Sequence, residues 1–218
     1  MGNPLTKAFA VCAALFALAV ADTRSAAAAG NVVRLDPEKA SHLLSLARID
    51  GRPLTPDLLH GRAVIVSFFA SWCPPCNTEF EHLNLLNVTH AAKGLTIVAV
   101  NQFEDFTGFG DDGKRLNRFL DRHQPVFSIV KGTDETAKLF GDVKRIPTVF
   151  VFDRSGGARL HFIHAEGAVK TNPGMDELQK AVRDALGVSA AGTFPLLPES
   201  PDSVTKPSHF TKLAKGRS

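Results

Sequence analysis

Apolar residues in this chain fall into short dense runs separated by stretches of helical period. Ala63-Val64-Ile65-Val66-Ser67-Phe68-Phe69-Ala70 is almost unbroken and rich in β-branched side chains. That is the pattern of a strand covered on both faces, and it predicts a central place in a sheet. Directly afterwards Phe80, Leu83 and Leu86 recur at spacings of three, with proline at the first turn, which predicts an amphipathic helix from Cys73 or Pro74 to about Ala92. Gly94 should end it. Leu95 to Asn101 reads as an alternating strand, and Lys114 to His123 as a helix with Leu116, Phe119 and Leu120 inward.

Further on, Phe127 to Val130 suits a short strand and Asp134 to Phe140 a short helix. Thr148 to Phe152 and Ala158 to His164 are two runs joined at Asp153-Arg154-Ser155-Gly156-Gly157, whose turn chemistry predicts a hairpin. Met175 to Leu186 closes the pattern as a helix with Leu178, Val182 and Leu186 along one side. Strands alternating with helices in this way predict an α/β layer architecture.

The ends differ from the middle. Lys7 followed by the apolar run Ala8 to Ala21 and small residues up to Gly30 reads as an export signal, cleaved after Ala21 or within Ala26 to Ala29, or retained as an anchor. Residues 1–29 are therefore assigned to a signal peptide or uncleaved anchor, 30–189 to the folded domain, and 190–218, with four prolines after Val188 and no sustained period, to a disordered tail. The expected location is periplasmic or otherwise extracytoplasmic, with membrane contact only if the first segment stays. A net charge of +3 is too small to imply nucleic acid. The chain holds sixteen Phe and no Tyr, which the sequence does not explain.

Cys12 lies inside the apolar run and should leave with the signal, so the mature chain would keep Cys73 and Cys76 alone. In an oxidising compartment such a pair needs something to set its redox state. Two cysteines three apart at a helix start lie on one side of the first turn, within reach of a disulfide. The first sits near free backbone N–H groups and the positive end of the helix dipole, so its thiolate is favoured and Cys73 is the expected nucleophile, with Cys76 resolving the mixed disulfide. Pro74 and Pro75 bring no N–H groups, which favours a reductant over a strong oxidant. A purely structural staple would remove little chain entropy, and a zinc site would want partner ligands that the sequence lacks; no metal and no bound cofactor are expected.

Gly51-Arg52-Pro53-Leu54, Val64 to Cys76 ending in Trp72-Cys73-Pro74-Pro75-Cys76, and Ile146-Pro147-Thr148 together resemble the exported thioredoxin-like reductases of the TlpA/ResA/CcmG group, over about Asn31 to Val188. The resemblance implies a thioredoxin fold, a central mixed sheet flanked by helices, with an N-terminal extension and a family-type insertion. It implies a cis Pro147 facing the disulfide, Ile146 pairing its backbone with substrate, and Trp72 beside the cysteines, so that Trp72, Pro74, Pro75, Ile146 and Pro147 form the substrate contact. Thioredoxin has a buried Asp where this chain has Ser67. Glu79, three after Cys76 on one helical face and matching a glutamate of the ResA-like group, is the candidate to take and return the Cys76 proton.

By the same resemblance, the partners are disulfide-bearing clients, of the cytochrome c maturation or copper-oxidase assembly kind, and a membrane thiol donor; a monomer is expected. Other readings compete. Gly108-Phe109-Gly110-Asp111-Asp112-Gly113 has dinucleotide spacing, but Gln102 to Thr107 separate it from the strand, so a surface insertion is expected. A Cu(I) metallochaperone would use both cysteines and a histidine, yet His161 and His164 alternate on a strand and make poor joint ligands. A disulfide donor or isomerase would keep the same cysteines and reverse the electron flow.

Overall fold

A computed structural model describes residues 33–107, 113–164 and 166–188, which belong to one unit ending at Val188. The signal segment with Cys12, residues 108–112 of the glycine-spaced loop, and the tail assigned to 190–218 lie outside the described residues. Among the described residues no helix is long and apolar enough to cross a membrane.

The long apolar run is β1 (Ala63–Phe69), buried at every position. It lies at the centre of a five-stranded mixed sheet, flanked on one side by β2 (Leu95–Asn101) and β3 (Ser128–Lys131) and on the other by β4 (Thr148–Phe152) and β5 (Ala158–Ile163). The β1–β2 and β2–β3 pairs are parallel, whereas β4 runs antiparallel to β1 and to β5. The mixed sheet and flanking helices expected of a thioredoxin fold are present. The β4–β5 hairpin turns through Asp153, whose carboxylate accepts from the N–H groups of Ser155 and Gly157 at 2.8 and 2.9 Å.

Two features go beyond the sequence reading. Leu95 to Asn101 forms the expected strand, but its alternation marks no exposed face, because β2 lies between β1 and β3 and all seven residues are buried. Its polar Thr96 is accommodated there because the Thr96 hydroxyl accepts from Arg62 Nε at 2.7 Å. The second is an unpredicted helix, α1 (Pro37–Ser45), which begins with Pro37 at its first position and is capped by the Asp36 carboxylate accepting from Lys39 N at 2.9 Å. Leu43 is its one fully buried residue, so no apolar period announced it.

The other helices follow the expected spans: α2 (Pro74–His90), α3 (Lys114–His123), α4 (Asp134–Leu139) and α5 (Met175–Leu186). Phenylalanines fill both faces of the sheet. On the face carrying Phe69, Phe80 of α2 and Phe119 of α3 pack with ring centroids 4.6 and 5.5 Å from Phe69. On the opposite face, Phe68, Phe140, Phe150 and Phe152 form a second set, with Phe68 and Phe140 5.6 Å apart. Most of these rings are fully buried, where a tyrosine hydroxyl would need a partner, which favours Phe over Tyr at these positions.

Candidate functional site

Parallel β1 delivers the chain from Phe69 through Ala70-Ser71-Trp72 to the start of α2. Cys73 is the residue capping that helix, with extended backbone at φ −86° and ψ 109°. Pro74 occupies the first helical position, where a missing N–H costs no helix bond. Cys73 and Cys76 are joined by a disulfide with Cα atoms 5.4 Å apart, the pairing expected from their spacing. Cys73 retains 2 % exposure and Cys76 none, so an incoming sulfur reaches Cys73 first. Pro74 is exposed, and Pro75 and Trp72 are half-buried.

The loop before Cys73 is held from the segment that follows β2. Trp72 Nε1–H donates to the Phe103 carbonyl at 2.8 Å. The Glu104 carboxylate accepts from Ser71 N–H at 2.9 Å, from the Ser71 hydroxyl, and from Asn101 Nδ2 at 2.7 Å. Phe103 takes up a left-handed backbone, φ 62°, to turn its carbonyl toward the indole. Sequence reading passed over Glu104, because its role depends on the register that sets Phe69 opposite Asn101. A Glu104→Ala change should cost about 2–3 kcal/mol, since bonds to a charged acceptor contribute roughly 1.5–3 kcal/mol and the donors are part-buried. Urea unfolding of wild type and variant measures it; a difference below about 0.5 kcal/mol, the scale of an ordinary surface change, would show the clamp to be idle.

Three residues beyond Cys76 on α2 lies a buried acid. Glu79 is fully buried, as is Ser67 at the middle of β1, and the Ser67 hydroxyl donates to Glu79 Oε1. Glu79 Oε2 is buried with no hydrogen-bond partner. Burial away from water pushes the carboxyl up to about 8, with the Ser67 bond pulling the other way. The helix therefore places Glu79 in the interior, three residues after Cys76, and not on a solvated face.

The Ile146–Pro147 bond is cis, as expected, and both residues are buried at the start of β4. Thr148 Oγ1 donates to the Arg145 carbonyl at 2.8 Å and His164 N–H donates to the Pro147 carbonyl at 3.2 Å. His164 Nδ1 lies 3.0 Å from the Ile146 carbonyl and must donate to it, because a carbonyl only accepts. One of the two Ile146 backbone groups assigned to substrate is thus already bonded within the chain. The two histidines weighed as copper ligands are engaged separately: His161 stacks on Phe150 at 4.2 Å between ring centroids, while His164 holds the Ile146 carbonyl. Among the described residues, no three His, Cys, Asp or Glu side chains gather as a metal-holding group.

Comparison with known proteins agrees with this geometry. The chain is 29% identical over 112 residues to the thiol-disulfide oxidoreductase ResA of Geobacillus thermodenitrificans (strain NG80-2), covering 51% of this chain and 60% of that protein. To ResA of Bacillus subtilis (strain 168) it is 27% identical over 107 residues, covering 49% and 56%. It therefore spans less than two thirds of these relatives' length. Among solved structures, a thiol:disulfide interchange protein of the thioredoxin family from Chlorobium tepidum TLS shares 27% identity at a TM-score of 0.50, covering 65% of this chain and 91% of its own. A secreted Mycobacterium tuberculosis disulfide oxidoreductase, 19% identical with a TM-score of 0.52, covers 68% and 99% and shares the fold. These likenesses support the resemblance to the TlpA/ResA/CcmG group read from the motifs. The Redoxin profile matches residues 27–178, more than half of the sequence and all of the site just described, so the chain belongs to the Redoxin family.

Proposed function

We propose that this protein is an extracytoplasmic thiol-disulfide oxidoreductase that reduces disulfides of particular protein clients. The observation that carries the reading is the Cys73–Cys76 disulfide at the amino end of α2, with a buried, high-pKa carboxyl three residues further along the same helix. In the reduced enzyme the Cys73 thiolate attacks one sulfur of the client disulfide, and the other client sulfur leaves as a thiolate. Cys76 then loses its proton to Glu79 and attacks Cys73 Sγ, releasing the second client thiolate and forming the enzyme disulfide. Two electrons pass from enzyme to client, and a donor dithiol must return them.

A carboxyl that titrates near 8 suits this cycle. At neutral pH it holds a proton for the Cys76 sulfur when a donor opens the disulfide, and it accepts that proton when Cys76 attacks. Trp72, Pro74, Pro75, Ile146 and Pro147 form the contact surface for clients in this reading, and no bound cofactor is needed. By likeness to the exported reductases, the clients are cysteines awaiting haem or copper and the donor is a membrane thiol protein. The export signal in residues 1–29 belongs to the same proposal.

Equilibrating the full chain in dithiothreitol and glutathione buffers, with the indole of Trp72 as the reporter, tests the direction of flow. A midpoint near or below about −250 mV is expected, since thioredoxin lies around −270 mV. A value of about −120 to −180 mV would make the protein a disulfide donor or isomerase instead.

A further inference from the structure

The first turn of α2 has few backbone donors, because Pro74 and Pro75 supply none. Cys76 N–H donates to the Cys73 carbonyl at 3.2 Å, and a side chain adds to that bond. Asn77 Nδ2 donates to the Pro74 carbonyl at 3.0 Å and to the Cys73 carbonyl at 3.3 Å. Carbonyls only accept, so the amide nitrogen must face them and the amide oxygen must face away. On that side His123 Nε2 lies 2.8 Å from Asn77 Oδ1, and it must therefore be the donor. One direction of bonding runs from the imidazole through the amide to the carbonyls of the Cys73–Pro74 and Pro74–Pro75 peptides.

His123 is itself well fixed. It is the last residue of α3, its ring lies 4.4 Å from Phe119 and 5.8 Å from Phe80 between centroids, and its carbonyl accepts from Asn84 Nδ2 at 2.7 Å. Asn84 Oδ1 also accepts from Val126 N–H at 3.1 Å, and Asn87 Nδ2 donates to the Val126 carbonyl at 3.0 Å. Asn77, Asn84 and Asn87 thus bind one side of α2 to the α3–β3 connection. Asn84 and Asn87 fasten helix to loop, whereas Asn77 reaches the redox turn.

We infer that His123 and Asn77 are a positioning pair for that turn: His123 sets the Asn77 amide, and Asn77 keeps Cys73 at the amino end of α2. The helix dipole stabilises a thiolate only while the first turn is formed, because its effect is confined to that turn. Without the pair the turn loosens, the Cys73 thiolate loses stabilisation, and the disulfide becomes the more favoured state. The inference rests on the reading of Cys73 and Cys76 as a redox couple.

The test uses the full chain and the variants His123→Ala, Asn77→Ala, the double variant, and His123→Gln, which keeps an N–H donor at similar reach. Each is equilibrated with glutathione, the Cys73 pKa is read from the pH dependence of alkylation, and thermal unfolding is recorded alongside. Each alanine variant should shift the dithiol–disulfide equilibrium about fivefold toward the disulfide, about 20 mV at roughly 30 mV per tenfold. The double variant should shift it no further, the Cys73 pKa should rise, and His123→Gln should lie within twofold of wild type. The inference is overturned if the alanine variants stay within twofold of wild type, if their effects add, or if glutamine behaves as alanine does. Should His123→Ala fail to fold, Asn77→Ala and His123→Gln still decide the matter. A wild type with no reversible equilibrium would instead sink the redox reading itself.

Discussion

Replacing Cys73 by serine should reduce turnover of a protein disulfide to the uncatalysed rate, and replacing Cys76 by serine should leave the first attack intact and trap a mixed disulfide with the client. The asymmetry follows from position. Cys73 caps α2 at the positive end of its dipole and keeps the pair's only exposure, 2 % against none for Cys76. A serine hydroxyl there has no comparable anionic fraction at neutral pH, so the nucleophile is lost outright. Neither change should unfold the protein, since closing a four-residue loop contributes roughly 2 kcal/mol. Non-reducing gels with a disulfide-bearing peptide, read beside circular dichroism, distinguish the outcomes. Adducts on the Cys73→Ser variant, or equal trapping by both, would contradict the assigned roles.

Legibility varied with how local each cause was. β1 could be read because a central strand is apolar on both faces, and α2 because Phe80, Leu83 and Leu86 keep a helical period beside a proline start. The disulfide was legible from spacing alone. α1 escaped notice because its evidence is a cap, Asp36-Pro37, with little apolar pattern behind it. Glu104 and His123 were illegible for another reason. Glu104 meets Ser71 only after β1 and β2 pair in register, and His123 meets Asn77 only after α3 packs beside α2. Glu79 stands between these cases: its helical spacing from Cys76 was readable, while its burial against Ser67, twelve residues earlier, depends on how α2 lies on the sheet.

Glu79→Gln should change both the stability profile and the chemistry, in opposite directions. The folded carboxyl titrates near 8 against an ordinary value of 4.5, so between those limits the native state binds more protons than the unfolded chain. Stability owed to this group is complete below pH 4.5 and falls as pH rises toward 8. At about 1.4 kcal/mol per pH unit, the 3.5 units separating 4.5 from 8 amount to a loss of roughly 5 kcal/mol. Glutamine has the same shape and no charge to bury, so urea unfolding of the oxidised proteins between pH 5 and pH 8 should show wild type weakening relative to the variant. Turnover should move the other way: glutamine cannot exchange a proton with Cys76, and a loss of roughly 100-fold is expected, the lower end of the ~10²–10⁴ that a positioned acid–base group contributes. Parallel stability profiles would return Glu79 to an ordinary carboxyl, and unchanged turnover would remove it from the proton path. A variant more stable at neutral pH yet slower is the signature of a buried acid retained for chemistry at a cost in stability.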